Sequence, residues 1–502
     1  MHVAVRVDAS GEIGTGHFMR CLTLSDVLQQ RGMKVRFICR HLPEHFRHIL
    51  ADKGIELTLL CNSVNTRITD NLMHSHWLGV SQQQDAEESI QALSDKLWDW
   101  LIVDHYALDS RWESELRQVS RKLFVIDDIA DREHNCDILL DQNFYPDRGD
   151  RYKGKVPPHC QLLLGPRYAL LRSEFYKLRE SVGPRMGAVK RVLIFFGGVD
   201  ADNYTGQAIN ALASIEATEL DVDVVVGAQH PRLSEIESAC LKNKFFCHIQ
   251  TSHMAKLMAK ADLAIGAGGS SIWERCCLGL PALSICVAEN QYKQIIDAAT
   301  EGLLYAPMVE SDLFMTIKNH VGALIENNAL RQLISQKCMQ TVDGRGVLRI
   351  VGHLRCSGIE VREVNVGDSR KLFEWRNHSS IRMVSLCADP IPWDVHQKWL
   401  SSVMEDKDRV LLLGLINGEP VGVVRFDRQE NVAEVSIYLV PDSDNSGFGG
   451  NLLMSAEQWV LSNQFEVTHI RAKVLDSNQP SNRLFSEAGY KKESISYLKG
   501  IC

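Results

Sequence analysis

A short glycine turn near the start of the chain carries the first residues that suit chemistry. Gly14, Thr15, Gly16 and His17 lie between an apolar segment and a segment whose apolar residues recur at helical spacing. Glycines let backbone N–H groups approach a bound anion closely, and a helix N-terminus favours negative charge. The helix dipole also favours a neutral imidazole at His17, and a neutral imidazole takes a proton from water. The motif predicts a general base beside an anion-binding turn, or alternatively a turn that only binds, with His17 as a polar residue at the helix start.

Similar polar or glycine-rich groups follow several other apolar segments. In chain order they contain Asp104 and Tyr106, Gly198, Gly268 with Gly269, Ser270 and Glu274, and Asn290 with Gln291. In a parallel α/β sheet such groups collect at the carboxyl ends of the strands, where ligands bind. A glycine turn at a helix start suits a pyrophosphate, and a carboxylate one helical turn later suits the hydroxyls of a ribose. Together the groups predict a nucleotide-sugar site rather than a set of structural turns.

Short apolar strands that alternate with helices must position these residues. The predicted strands lie at 3–7, 35–39, 100–104 and 123–127, and again at 191–198, 222–226, 261–265 and 282–287. The alternation predicts two doubly wound, Rossmann-like domains of parallel strands, at 1–155 and 156–355. A segment rich in proline, glycine and charge at 143–158 is the predicted linker, and a mostly helical stretch at 312–354 closes the pair.

The last part of the chain has a different pattern. Predicted strands at 359–364, 410–415, 421–427 and 434–439 are joined in part by tight turns, which predicts an antiparallel arrangement. The turn at 441–450 then leads into a helix, where successive backbone N–H groups suit a pyrophosphate. The sequence therefore predicts a third, mixed α/β domain at 359–502.

The composition agrees with a globular chain of several domains. The chain has 502 residues, of which 45% are hydrophobic and 24% charged. A net charge of -8 argues against nucleic acid as the main partner. The first strand follows Met1 almost at once and no run of about 18 apolar residues occurs, so neither a signal peptide nor a membrane span is expected. The 14 cysteines form no Cys-x-x-Cys pair, which predicts reduced cytoplasmic thiols and no zinc site.

Residues 1 to about 345 resemble the UDP-sugar hydrolases of pseudaminic acid biosynthesis, which are related to glycosyltransferase-B enzymes. The resembling stretches are 6–17, 104–106, 127–128 with 136–137, 165–172, 197–200, 268–269 and 289–291. The resemblance implies a glycosyltransferase-B-like fold and hydrolysis of UDP-2,4-diacetamido-2,4,6-trideoxy-β-L-altrose to UDP and the free sugar. It also implies a place in the pathway that supplies sugar for flagellin glycosylation.

The same resemblance assigns roles to individual residues. His17 becomes the base that activates water, Tyr106 and Asn290 shape the sugar side, and Gly269, Ser270 and Glu274 hold UDP. The other expected substrate-binding residues are Gly14, Gly16, Asp104, Tyr168, Gly198, Gly268 and Gln291. Because UDP is a good leaving group, one base suffices, and backbone amides at helix starts absorb the charge on the departing pyrophosphate. Water then attacks opposite UDP with inversion, and no metal is expected.

Residues 359–502 resemble a GNAT acetyltransferase, on the strand at 434–439, the turn at 441–450, the helix at 451–461 and the segment at 478–490. The resemblance implies acetyl-CoA as co-substrate, held by Ser446, Gly447, Phe448, Gly449, Gly450, Asn478 and Asn482. Asp444 and Phe485 differ from the residues usual in the family. Glu434 is the predicted base that deprotonates the amine through water, with a carboxylate on a solvated strand face as the alternative.

Together the two resemblances predict a cytoplasmic enzyme that carries out consecutive steps. The third domain would acetylate the 4-amino UDP-sugar, and the first two would then hydrolyse the product. One alternative is a glycosyltransferase-B transferase that passes the sugar to an acceptor other than water. Another is a third domain that acetylates a different amine or serves only as an interaction module. The expected partners are the UDP-sugar, acetyl-CoA and other enzymes of the pathway, and neither nucleic acid nor membrane.

Overall fold

The chain divides into two compact units, Met1–Val347 and Leu348–Cys502. The computed structural model describes residues 1–61, 70–215, 220–287, 291–308, 312–355, 359–385, 388–416, 418–442, 448–463, 465 and 467–491. Within these residues no helix is both long and apolar enough to cross a membrane.

The first unit begins with a sheet of short, apolar parallel strands. These are β1 (His2–Val7), β2 (Lys34–Cys39), β3 (Glu56–Leu59), β4 (Trp100–Asp104), β5 (Leu123–Ile126), β6 (Ile138–Asp141) and β7 (Gln161–Leu164). The helices between them are α1 (Gly16–Gln30), α2 (Glu44–Asp52), α3 (Gln82–Leu93) and α4 (Ser110–Leu116). Every residue of β1 from Val3 to Val7 is buried, as expected for a parallel strand with both faces covered.

A second parallel sheet follows in the same unit. Its strands are β8 (Arg191–Phe195), β9 (Asp221–Val226), β10 (Phe246–Ile249), β11 (Leu263–Ala267) and β12 (Ala282–Ile285). Its helices are α5 (Ser173–Arg179), α6 (Tyr204–Ala213), α7 (Leu233–Asn243), α8 (Met254–Lys260), α9 (Ser271–Cys277), α10 (Tyr292–Thr300), α11 (Leu313–Glu326) and α12 (Asn328–Thr341). The next helix, α13 (Gly346–Arg355), spans the division between the two units.

Both sheets are doubly wound, as the alternation of strands and helices predicts. The strand orders are β3-β2-β1-β4-β5-β6-β7 and β10-β9-β8-β11-β12. In each sheet the chain starts in the middle, runs to one edge and then returns to the other side of its first strand. The order therefore reverses between β1 and β4 and between β8 and β11, and ligands of such sheets bind at that reversal, outside the carboxyl ends of the strands.

The segment predicted as a linker is an ordered part of the first unit. It lies between β6 and β7, and β7 extends the first sheet to Leu164, beyond the expected boundary at residue 155. Asn143 in this segment accepts hydrogen bonds from Trp273 Nε1 at 3.0 Å and from Gln294 Nε2 at 2.8 Å. All three side chains are buried, so Asn143 ties the first sheet to helices of the second.

The second unit contains a mixed five-stranded sheet. Its strands, in spatial order, are β13 (Glu360–Glu363), β14 (Arg409–Ile416), β15 (Glu419–Gln429), β16 (Val432–Leu439) and β17 (His469–Ala472). The pairs from β13 to β16 are antiparallel, whereas β16 and β17 are parallel. Its helices are α14 (Ser369–Asn377), α15 (Ser379–Arg382), α16 (Trp393–Glu405), α17 (Gly449–Ser462) and α18 (Gln479–Glu487).

Each face of this sheet has its own apolar core. Leu452 and its neighbours on α17 pack on one face, and Leu372 and Leu400 from α14 and α16 pack on the other. A Cβ atom at Gly414 would lie 2.3 Å from Leu452, and one at Gly422 would lie 2.6 Å from it. Glycine at these two strand positions therefore lets α17 approach the sheet closely.

Candidate functional site

The reversal between β1 and β4 brings His17 against a buried carboxylate. His17 lies in the first turn of α1 and Asp104 is the last residue of β4. His17 Nδ1 lies 2.6 Å from Asp104 Oδ1, and the two residues are 9% and 1% exposed. A nitrogen and a carboxylate oxygen this close share a proton, so we assign the hydrogen to Nδ1. The lone pair then lies on Nε2, which is the nitrogen that can accept a proton.

Arg20, one helical turn after His17, fixes the same carboxylate. Its Nε donates to Asp104 Oδ2 at 2.6 Å and its Nη2 donates to Asp104 Oδ1 at 2.7 Å. Burial opposes the charged form of Asp104, but Arg20 and His17 outweigh it and hold the pKa of that carboxyl well below its usual range. Asp104 therefore stays ionised and orients the imidazole.

A second carboxylate links Arg20 to Tyr106. Arg20 Nη1 donates to Asp128 Oδ2 at 2.8 Å, and the Tyr106 hydroxyl donates to Asp128 Oδ1. The Tyr106 ring then meets the His17 ring edge-on, with 4.6 Å between centroids. Burial and the neighbouring Asp128 raise the pKa of Tyr106, so its phenol remains protonated. We call His17, Asp104, Arg20, Asp128 and Tyr106 the base network.

Aromatic side chains from the segment before α3 cover one side of this network. Trp77 stacks on Tyr106 with 5.6 Å between centroids and 25° between ring planes. His74 lies 4.4 Å from Trp77 and 5.4 Å from Tyr106, measured between centroids. Burial lowers the pKa of His74, which favours its neutral form. We call His74, Trp77 and Tyr106 the aromatic wall, and a wall of this kind suits the apolar face of a sugar.

The second sheet supplies a glycine turn between β11 and α9. A Cβ atom at Gly268 would lie 2.8 Å from Ile295 and 2.9 Å from Gln291 Oε1, and Gly269 has a φ of +79°. Both positions therefore favour glycine. Ser270 follows, immediately before α9 begins at Ser271. A glycine turn at a helix start is the kind of structure that can bind a phosphate through backbone N–H groups.

Glu274 lies one turn into α9, beside an arginine. Its Oε1 is 3.5 Å from Arg172 Nη2. Burial raises the pKa of the Glu274 carboxyl, and Arg172 opposes that shift. The carboxylate keeps part of its side-chain surface, 19%, exposed to solvent, so a hydroxyl group can reach it.

The remaining predicted residues of the first unit occupy turns. Gly14 has a φ of +80° and Gly16 begins α1. Gly198 lies after β8. A Cβ atom added at Gly227 would lie 2.0 Å from the carbonyl oxygen of Gly198, so the two backbones are close together. Tyr168 ends a short helical turn, 5.3 Å from the Arg167 guanidinium to its ring centroid. Gln291 immediately precedes α10, and its buried Oε1 has no hydrogen-bond partner in the described part of the chain. Asn290 lies outside the described residues.

In the second unit the predicted acetyl-CoA residues collect at two helix starts. Phe448 is buried and precedes Gly449 and Gly450, the first residues of α17. Asn478 caps α18 by accepting a hydrogen bond from the Ser481 N–H at 3.1 Å, and Asn482 Nδ2 donates to the Asn478 carbonyl. Ser446 and Gly447 lie outside the described residues, as does Asp444.

Glu434 lies on β16 in a partly exposed ion pair. Its Oε2 is 2.7 Å from Lys473 Nζ, and the two side chains are 38% and 61% exposed. This environment fits the alternative interpretation, a carboxylate on a solvated strand face. Phe485 is buried against the Tyr490 ring at 5.0 Å between centroids, which makes it part of the core of this unit.

The sequence analysis did not identify Arg20, Asp128 or Trp77 as site residues. Arg20 and His17 are three residues apart and share a helix face, a spacing that is visible in the sequence. Asp128 belongs to a pair of aspartates after β5, which sequence reasoning treats most simply as structural. Trp77 belongs to no periodic pattern, and a cluster of aromatic and histidine residues at 74–77 was its only local signal.

Comparison with known proteins supports a two-part assignment. Residues 371–490 match the model of the acetyltransferase (GNAT) family. An uncharacterized protein of Methanocaldococcus jannaschii is 22% identical and aligns over 98% of this chain and 97% of its own. The UDP-2,4-diacetamido-2,4,6-trideoxy-beta-L-altropyranose hydrolase of Campylobacter jejuni is 25% identical over 58% of this chain and 93% of its own. The spore coat polysaccharide biosynthesis protein SpsG of Bacillus subtilis is 22% identical over 71% of this chain and 98% of its own.

Solved structures agree on the fold. MurG of Acinetobacter baumannii superposes with a TM-score of 0.50 at 14% identity, covering 70% of this chain and 98% of its own. A UDP-glucosyltransferase of Polygonum tinctorium superposes with a TM-score of 0.51 at 12% identity and the same coverage. These likenesses concern the fold alone, and they agree with the expected glycosyltransferase-B-like pair of sheets. The chain is thus a homologue of the Campylobacter hydrolase and of SpsG, with a glycosyltransferase-B-like first unit and a C-terminal domain of the GNAT acetyltransferase family.

Proposed function

We propose that the first unit hydrolyses a UDP-linked sugar, UDP-2,4-diacetamido-2,4,6-trideoxy-β-L-altrose, to UDP and the free sugar. The observation that carries this proposal is the His17–Asp104 pair at 2.6 Å, placed where the strand order of the first sheet reverses. Homology to the Campylobacter hydrolase supports the identity of the substrate. The reaction belongs to pseudaminic acid biosynthesis in this proposal.

The proposed mechanism needs one base and one leaving group. His17 Nε2 takes a proton from a water molecule, whose oxygen attacks the anomeric carbon as the C–O bond to UDP breaks. Asp104 stabilises the imidazolium that forms, because it already accepts the Nδ1 hydrogen. The bonding electrons leave with the diphosphate of UDP, and attack opposite UDP inverts the anomeric centre. The proton on His17 then returns to solvent.

The second sheet is the proposed UDP site. Backbone N–H groups in the turn around Gly268 and Gly269 would face the diphosphate, where they stabilise the negative charge that grows during departure. Glu274 would accept hydrogen bonds from the ribose hydroxyls. Tyr106 and the rest of the aromatic wall would pack against the deoxysugar, and Asn290, Tyr168 and Gln291 complete the proposed substrate contacts.

We further propose that the second unit uses acetyl-CoA to acetylate the 4-amino group of the UDP-sugar precursor. The match to the GNAT family supports acetyl transfer, and the helix starts at Gly449 and Asn478 suit the diphosphate of coenzyme A. The ammonium form of the sugar amine first loses a proton to solvent, and the neutral amine then attacks the thioester carbonyl. The new C–N bond replaces the C–S bond, and the departing thiolate takes up the proton that the acylated nitrogen loses. The product is the substrate proposed for the first unit, which gives one chain two consecutive steps.

Product analysis tests both proposals at once. The 4-amino UDP-sugar is incubated with the full chain, with and without acetyl-CoA, and products are resolved by mass spectrometry and NMR. We expect UDP and free diacetamido sugar only when acetyl-CoA is present, and hydrolysis without acetyl-CoA when the diacetamido UDP-sugar is supplied. Transfer of the sugar to an added acceptor without free sugar would make the first unit a transferase. Absence of acetylation would overturn the proposal for the second unit.

A further inference from the structure

We infer that Arg20 is a positioning residue of the proposed hydrolase, which together with Asp128 sets the orientation and the proton affinity of His17. The inference rests on the proposed function for its catalytic meaning. Its physical content, the effect of Arg20 on the imidazole, can be measured without any substrate.

Arg20 is the one group that holds both carboxylates of the base network. Two of its nitrogens donate hydrogen bonds to Asp104, at 2.6 and 2.7 Å, and the third donates to Asp128 at 2.8 Å. Asp104 in turn orients the His17 ring, and Asp128 holds the Tyr106 hydroxyl beside it. Arginine suits this position because its planar guanidinium donates to one carboxylate through two nitrogens while the third nitrogen donates to another acceptor.

All five members of the base network are at least 91% buried, so their charges act at short range in a medium of low dielectric constant. With a neutral imidazole, the network holds two carboxylates and one guanidinium, a net charge of −1. Proton uptake by His17 brings that charge to zero. Without Arg20 the neutral-imidazole state would carry a charge of −2, and His17 would bind a proton much more readily. The charge of Arg20 therefore lowers the proton affinity of His17 relative to a network without it.

The charged or titratable groups that face His17 come from several elements. Arg20 lies on its own helix, Asp104 ends β4, and Tyr106 follows two residues later. Asp128 lies after β5, and His74 lies in the segment before α3. Electrostatic interaction between His74 and His17 is repulsive when both are protonated. Among the described residues, Asp104 and Arg20 lie within hydrogen-bond distance of the imidazole.

The test uses two substitutions with opposite expected signs. Arg20→Gln removes a positive charge, and we expect the protonation midpoint of His17 to rise by about one pH unit or more. Asp128→Asn removes a negative charge, and the midpoint should fall by a similar amount. Selective ¹⁵N-histidine labelling of the full chain and an NMR pH titration give the midpoint, with His17 assigned from the spectrum of His17→Gln.

Two further variants separate this role from simple support of the fold. Arg20→Lys keeps the charge but cannot grip two carboxylates, so we expect a midpoint near that of the unsubstituted chain and a kcat at least tenfold lower. Arg40→Gln removes another buried arginine, which pairs with Asp85 at 2.9 Å outside the base network, and the His17 midpoint should stay unchanged.

The outcomes are distinct. Shifts in the same direction, or no shift, in folded Arg20→Gln and Asp128→Asn overturn the inference. If Arg20→Gln does not fold, Asp128→Asn and Arg20→Lys decide by the same criteria. Opposite shifts in a chain that hydrolyses no UDP-sugar would support the inference about His17 and refute the proposed function instead.

Discussion

The nitrogen His17 Nε2 is the atom on which the proposed hydrolysis depends. Its partner nitrogen is occupied by Asp104, so one tautomer places a lone pair at the end of the ring away from the carboxylate. The base network does not include the glycine turn of the second sheet. The proposed base and the proposed UDP site are therefore formed by different residues, and a substitution can affect one without the other.

His17→Gln tests this separation. We expect kcat to fall by about 10²–10⁴-fold, because a positioned general base contributes roughly that factor. The dissociation constant of UDP, measured by calorimetry, should stay within about twofold. Near-normal turnover in a variant that still binds UDP would leave His17 with a structural role only.

A second histidine, His134, is expected to make the stability of the first unit depend on pH. His134 Nδ1 lies 2.7 Å from Glu113 Oε1, and although burial opposes its charge, Glu113 and Asp127 raise the pKa of His134 to about 9. The folded state thus binds this proton more tightly than the unfolded state, whose histidine has a pKa near 6.5. The resulting stabilisation, roughly 3 kcal/mol, is complete below pH 6.5 and disappears as the pH rises through 9.

Denaturant unfolding measured between pH 6 and pH 10 tests whether the stability falls as the pH rises. The free energy of unfolding of the first unit should decline over that range, and the decline should be smaller in His134→Gln. An equal decline in both proteins would assign the pH dependence to other groups.

At the scale of elements, helix starts and turns carry the proposed binding functions. The helix α17 begins at Gly449, where proline removes the backbone N–H. The preceding Phe448 has a φ of −81° and a ψ of −12°, a conformation that proline disfavours in the residue before it, so the variant also strains the backbone there. In variant protein that calorimetry shows to be folded, Gly449→Pro should weaken acetyl-CoA binding by about tenfold. Gly449→Ala is the matched control, because its Cβ would meet Leu484 at an ordinary 3.5 Å and the N–H is kept. Equal binding by the two variants would remove that amide from the coenzyme site.

We expect the aromatic wall to contribute to the affinity for the sugar substrate. Trp77 is partly buried and stacks on Tyr106 without belonging to the base network. Trp77→Ala should raise KM for the diacetamido UDP-sugar by about fivefold, since an aromatic stacking contact is worth about 1 kcal/mol. Trp77→Phe should recover most of the loss. A fall in kcat with an unchanged KM would instead mean that Trp77 supports the geometry of His17.

At the scale of the whole molecule, each unit has its own apolar cores. Among the described residues, three apolar clusters lie within 4–342 and two others lie within 359–485. Fragments 1–355 and 359–502 should therefore fold separately. We expect the first to hydrolyse the diacetamido UDP-sugar without acetyl-CoA and the second to bind acetyl-CoA.

Calorimetric unfolding and activity of the two fragments provide the measurement. A folded 359–502 fragment that does not bind acetyl-CoA would leave this unit as an interaction module. A 1–355 fragment that folds but hydrolyses only when the second fragment is added would contradict independence of the two activities.

Local patterns in the sequence were sufficient to predict the two doubly wound sheets of the first unit. Buried parallel strands appear as short apolar runs, and their alternation with helices predicted both doubly wound sheets, because each signal is contained in a few neighbouring residues. The same reasoning missed β3, β6, β7, β10 and β17, which have four residues each. So short a run does not stand out from loop sequence.

The sequence by itself determined the candidates for the site, since His17 follows a glycine turn and Asp104 ends an apolar strand. Only the tertiary structure decided how they combine. Asp104 is 87 residues from His17, and Asp128 is 108 residues from Arg20. Local periodicity does not encode the strand order. That order places β4 beside β1 and β5 beside β4, and thereby assembles the base network at the carboxyl ends of these strands.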